Sequence, residues 1–161
     1  MAALPGEDAV RIAHAPTDRG IKSTAAFLEA TEQLKAEGHP IEVDLIEGVP
    51  WRECLARKAK ADVYFDQVKL GYGNNAIEAW GMGIPVIAGA APATQEEMVR
   101  RFGDLPFYNA TESTLYDALR AMLNPSIREL YAHRGLMHVR KYHDERVVVE
   151  QLKDVYRRAA G

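Results

Sequence analysis

The sequence predicts a three-layer α/β/α domain built on a parallel sheet, and three observations predict it. Short apolar runs alternate with longer amphipathic stretches along most of the 161 residues, the order expected of parallel βαβ units. A glycine-rich turn stands between a strand and a helix at Gly71 to Asn75. The last third of the chain carries only helical spacing. The length fits one domain, residues 1–161, with a core of ordinary size.

Val10 to Ala15 (VRIAHA) reads as the first strand. Ser23 to Glu37 places Ala26, Phe27, Ala30 and Leu34 on one helix face, and Gly38 stops it. Ile41 to Ile46 alternates as a second strand, and Pro50 opens a helix running to Lys60. Ala61 to Val68 is a third strand; the turn follows, then a short helix from Ala76 to Met82 and a fourth strand from Pro85 to Ala88. Thr94 to Phe102 is expected to be helical, Phe107 to Tyr108 to begin a fifth strand, and Glu112 to Leu123 to form another helix. Pro125 to Tyr142 and Glu145 to Ala160 close the chain as helices laid over one sheet edge. Only Met1 to Asp8 is expected to be dispensable and disordered. The whole is a Rossmann-like sheet of five or six parallel strands.

Composition excludes several function classes. There are 23 acidic and 20 basic residues, a formal charge of −3, so no global positive field attracts nucleic acid or an anionic membrane. A bound anion must be held by local groups. The lone cysteine, Cys54, cannot form an intramolecular disulfide and reads as a small apolar residue; Met1 to Ala15 has no signal-peptide pattern. No apolar run reaches the length of a membrane span, and a cytoplasmic location is expected.

In GYGNNAIEAWGMGIPVI, Gly71 to Ile87, a turn on two glycines leads directly into a helix. Glycines let backbone approach a ligand, and the free N–H groups and positive dipole end of the helix attract phosphate. In an open parallel sheet this turn lies at the strands' carboxyl ends, where ligands bind. The dinucleotide fingerprint and the Walker lysine are both absent. Glu78 has two readings. A carboxylate just inside the helix can accept both hydroxyls of a ribose; alternatively, with Asn75 as N-cap, Glu78 completes a capping box.

This segment resembles the glycine-turn region of retaining GT-B glycosyltransferases, group 1 or family 4-like, whose pattern runs Glu-Gly-Phe-Gly, Leu-Glu-Ala, Gly-x-Pro-Val. Gly71, Tyr72, Gly73, Glu78, Ala79, Gly83, Pro85 and Val86 match it. The resemblance implies the nucleotide-sugar-binding half of a GT-B architecture, with Glu78 on the donor ribose and Gly71, Tyr72, Gly73, Asn74 and Asn75 around the sugar and diphosphate. The family's first Glu corresponds to Leu70, which can neither accept a hydrogen bond nor stabilise positive charge. In HAPTDRGIKST, after the first strand, Arg19 and Lys22 match the family's diphosphate-binding Arg and Lys, with Ser23 replacing a Gly. Paired cations of this kind offset charge on a departing nucleotide. Exposed charges before a helix capped by Ser23 or Thr24 are their structural reading. The tail from Thr111 to Tyr156 follows the family's closing helices.

The expected substrate is a nucleoside-diphosphate sugar, UDP-, GDP- or ADP-linked, with no metal or other cofactor. The acceptor domain is absent, so a separate acceptor-binding domain or a homo-oligomer is expected to cover the cleft face. A non-catalytic nucleotide-binding module is the rival from another class; a nucleotide-sugar epimerase and a receiver domain lack their acidic groups here. Asp66, Gln67 and Lys69 lie near Leu70 and have two readings, contributors to the site or, more simply, a solvated strand end. Trp51, Trp80 and Tyr72 read as packing residues, with Tyr72 also able to stack on a ligand; His14, at a strand end, can approach a ligand or, more commonly for such a residue, serve as a hydrogen-bonded structural histidine. His133, His138 and His143, five apart, show no metal spacing.

Overall fold

Val10–His14 (β1), Ile41–Leu45 (β2), Val63–Phe65 (β3), Val86–Ala90 (β5) and Tyr108–Asn109 (β6) lie parallel, in the spatial order β2, β1, β3, β5, β6. The computed structural model describes residues 9–160; the expectation for residues 1–8 lies outside them. The sheet gains a sixth, antiparallel strand at one point. Leu70–Gly71 (β4) runs back beside the end of β5, pairing Leu70 with Ala90 and Gly71 with Gly89. A glycine turn alone was expected there. Gly71 has φ +87°, a backbone that glycine adopts without strain. A Cβ on Gly89 would lie 1.9 Å from the Ala110 carbonyl and 2.9 Å from that of Val68, so only glycine lets these segments close on β5.

Alternation along the strands builds a core on each sheet face. Ile12, Val63, Phe65 and Ile87 meet Phe27 and Leu34 of α1 (Thr24–Ala36) and Leu115 and Leu119 of α5 (Leu115–Ala121). On the other face, Ala13, Tyr64, Val86 and Ala88 meet Ala76, Ala79 and Trp80 of α3 (Asn74–Gly81) and Met98 of α4 (Pro92–Phe102). Cys54 of α2 (Trp51–Lys58) also packs there. This is the expected three-layer α/β/α arrangement.

The closing helices differ from one another. Gly135 of α6 (Pro125–Tyr142) lies so close to Trp80 that a Cβ there would fall 1.9 Å from the indole. By contrast, α7 (Glu145–Ala160) buries none of its residues. Val148, Val149, Leu152, Val155 and Tyr156 stand exposed on it, so only α6 is laid onto the domain.

Candidate functional site

From β1 the chain moves outward to β2, then returns past β1 to β3. The carboxyl ends of β1 and β3 are therefore the point where the strand order reverses, and ligands of open α/β sheets bind in the crevice there. Two loops flank it. Residues 15–23 follow β1, and residues 66–73 follow β3 and lead into α3.

The first loop is internally ordered. Asp18 accepts the Ile21 N–H through its side chain, 2.8 Å, and the Lys22 N–H through its carbonyl, 3.0 Å. Ser23 occupies the N-cap of α1 in the left-handed region, φ 52°, makes no side-chain cap, and donates its hydroxyl to Glu112, 3.2 Å. Lys22 is turned inward: Nζ lies 2.6 Å from Asp66 Oδ1. Arg19 is turned outward, 60% exposed, and its guanidinium grips Glu47 after β2, with Nε 2.8 Å from Oε1. Hydrogen bonding to Glu47 raises the Arg19 pKa. Each of the two cations thus already faces a carboxylate. An exposed pair such as Arg19–Glu47 opens at little cost, whereas the Lys22 pair is shielded from water.

The second loop begins with two buried polar residues, Asp66 and Gln67, which corrects their reading as a solvated strand end. Gln67 Oε1 accepts the N–H groups of Lys69 and Leu70, and its amide donates to the Gly71 carbonyl. One buried side chain therefore shapes the turn. Asp66 Oδ2 accepts the Gly73 N–H at 2.7 Å. Lys69 is exposed and pairs with Glu112 at 3.0 Å.

Gly73 is the N-cap of α3, and the helix starts at Asn74. Glu78 is consequently the fifth helical residue, two positions past the third, where a capping box needs its acid, so that structural reading fails. Its carboxylate is held from two sides: Lys58 Nζ lies 2.6 Å from Oε2, and Trp51 Nε1 donates to Oε1 at 3.0 Å. Burial pushes the Glu78 pKa up, but the bonds from Lys58 and Trp51 outweigh it and hold the carboxyl below its ordinary value. Lys58 is wholly buried and also donates to Asn75 Oδ1, 2.9 Å. Asn75 in turn donates to the Ala15 carbonyl at 3.3 Å, tying α3 to the end of β1. Trp51 is 65% exposed, not a packing residue. Sequence reasoning missed Lys58. The available signal was its place four residues after Cys54, on the helix face turned to the core.

Tyr72 faces away from the crevice. Its ring packs on Trp80, and its hydroxyl lies 3.0 Å from His138 Nε2 and 3.2 Å from His143 Nε2. The two imidazoles thus come together although five residues apart; among the described residues no group of three or more His, Cys, Asp or Glu could hold a metal ion. His14 is buried between Phe27 and Phe65. The Phe65 carbonyl can only accept, so Nδ1 donates to it at 2.9 Å and Nε2 accepts the Thr24 hydroxyl at 2.8 Å. Burial lowers the His14 pKa to about 4, as befits a structural histidine. Leu70 is 71% exposed.

Lys22, Asp66 and Gly73 therefore form one cluster at the switch point; Glu78, Lys58, Asn75 and Trp51 form a second, one turn along α3; Arg19 stands at the rim. Among the described residues, no helix is long and apolar enough to cross a membrane. No protein-family model matches the chain, and no curated protein matches it by sequence. Among solved structures, it is similar to the crystal structure of the C-terminal domain of a glycosyl transferase group 1 family protein, LpcC, from Francisella tularensis. The match covers 88% of this chain and 89% of that one, with a TM-score of 0.58 and 18% identity. What the two share is the fold: this chain has the Rossmann-like α/β architecture of that transferase's C-terminal domain.

Proposed function

We propose that this domain binds a nucleoside-diphosphate sugar and serves as the donor half of a retaining GT-B glycosyltransferase. The observation that carries the reading is the placement of Lys22 beside Gly73, with Glu78 one turn further along α3, at the reversal point of the sheet. A diphosphate laid across the turn meets the Lys22 ammonium and the N–H groups of Asn74 and Asn75 at the positive end of α3. Gly71 and Gly73 keep the backbone low, and Arg19 can leave Glu47 to join the phosphates. Glu78, kept ionised by Lys58 and Trp51, accepts the ribose hydroxyls.

In the transfer, the bond between the anomeric carbon and the diphosphate oxygen breaks and its electron pair departs with the nucleoside diphosphate; an acceptor hydroxyl supplies the new oxygen and passes its proton to the departing diphosphate. Lys22 and Arg19 offset the charge gathering on the leaving group. The reading names no metal or other cofactor. A partner domain or second subunit supplies the acceptor.

A second reading, a nucleotide-binding module without transfer, is favoured by one observation: Leu70 stands where the family's sugar-contacting Glu belongs. Two experiments separate the readings. Saturating UDP, GDP or ADP should raise the melting temperature, because a ligand that binds only the folded state stabilises it; no shift with any nucleotide contradicts both. Release of nucleoside diphosphate from a sugar nucleotide then supports the transferase, and binding without release supports the module.

A further inference from the structure

The carboxylate of Asp66 is wholly buried, a costly placement that persists only when the charge is paired and hydrogen-bonded. Its two oxygens go to different places. Oδ1 takes Lys22 Nζ at 2.6 Å, 44 residues away in the chain, and Oδ2 takes the Gly73 N–H at 2.7 Å, seven residues away. A single side chain thus joins the loop after β1 to the turn before α3. An ammonium on four methylenes is otherwise free to sample many rotamers; here it is fixed over the turn with two further N–H donors to offer.

Gly73 supplies a second, independent observation. Its backbone, φ −114° and ψ −172°, is extended and open to any residue, so glycine is not required by conformation. A Cβ there would instead lie 3.6 Å from both Lys22 Nζ and Asp66 Oδ2. A methyl at this position would stand in contact with the ammonium on the side of the turn.

We propose that Asp66 is the positioning residue of the phosphate site, presenting the Lys22 ammonium through the opening left by Gly73 to an incoming diphosphate. The inference rests on the reading of Lys22 as the phosphate-binding cation. Asp66 acts through Lys22 and need not touch the ligand; its negative charge serves to place the cation, not to compete for it.

The test is calorimetric titration of inorganic pyrophosphate and of UDP, GDP and ADP into the wild type, Asp66→Asn, Lys22→Met, the double variant and Gly73→Ala, with thermal melts of each. Asn at position 66 preserves shape and an acceptor for the Gly73 N–H. Asp66→Asn should weaken pyrophosphate binding about tenfold, the scale of one misplaced charge-assisted hydrogen bond. The double variant should bind no more weakly than Lys22→Met, because Asp66 has nothing to position once the ammonium is gone. Gly73→Ala should keep the melting temperature and lose affinity, an arm that stands even if Asp66→Asn fails to fold. Unchanged or tighter binding by Asp66→Asn, additive losses in the double variant, or unchanged affinity in Gly73→Ala overturns the proposal. Wild-type binding insensitive to Lys22→Met, or no binding at all, overturns the underlying reading of Lys22 instead.

Discussion

Glu78 cannot be removed without consequences beyond any ligand, because its partner Lys58 is entirely buried. Deleting the carboxylate strands a cation in the core. Glu78→Ala should therefore destabilise the domain by about 3 kcal/mol, the usual cost of breaking a buried ion pair from one side, measurable by urea denaturation. Glu78→Gln keeps an acceptor for Lys58 and should cost clearly less, which makes it the better probe of ribose binding. His14 predicts a pH dependence. Burial holds its pKa at about 4, below its usual 6.5, so the fold favours the neutral ring; that contribution is complete above pH 6.5 and is lost as pH falls toward 4. A shift of this size corresponds to on the order of 3 kcal/mol. The melting temperature should fall across that window, and less steeply in His14→Gln.

Much at this scale was legible beforehand: Lys22, Gly73 and Glu78 do gather at the crevice, and His14 is structural. Lys58 and Asp66 were not, for one physical reason. In sequence Lys58 stands among Arg57, Lys60 and alanines and Asp66 at the polar end of an apolar strand run, and both positions read as solvated. Their burial arises only when α2 meets α3 and the loop after β1 meets the end of β3, contacts that no local spacing encodes. Trp51 erred the opposite way, an apolar residue expected inside that stands outside on Glu78.

At the scale of elements, both strand-like runs and helical periodicities marked the elements, and Pro125–Tyr142 and Glu145–Ala160 fall at the expected bounds. The antiparallel β4 was not legible, since two residues carry no periodicity and their pairing depends on Gly89 in a later strand. A helix start displaced to Asn74 removed the capping box. The packing of α3 on α6 gives a direct test. Gly135→Ala pushes a methyl into the Trp80 ring and should destabilise by about 1–3 kcal/mol. The same substitution at an exposed glycine should do nothing comparable. For α7 the expectation is reversed: it buries no residue, so truncation after His143 should leave the unfolding free energy from urea denaturation within about 0.5 kcal/mol of the intact chain. A large loss would mean that α7 docks somewhere on the domain in solution.

For the whole molecule, the order of strands matters more than their number. Placing β1 between β2 and β3 sets two loops at one crevice, and it is there that the sequence's basic loop and glycine turn converge. Alternating elements foretold the parallel sheet and its helix layers, and the similarity to the LpcC C-terminal domain at 18% identity agrees with that architecture. Function is a further step, because a fold of this kind hosts many chemistries and only its site distinguishes them. The proposed reading has the crevice hold a nucleoside diphosphate between Lys22 and Glu78. Its most direct test is calorimetric titration of UDP, GDP and ADP into the wild type, Lys22→Met and Glu78→Gln. Saturable one-to-one binding by one nucleotide, weakened about tenfold or more by each substitution, is the predicted result; no binding, or binding that neither substitution alters, would contradict it.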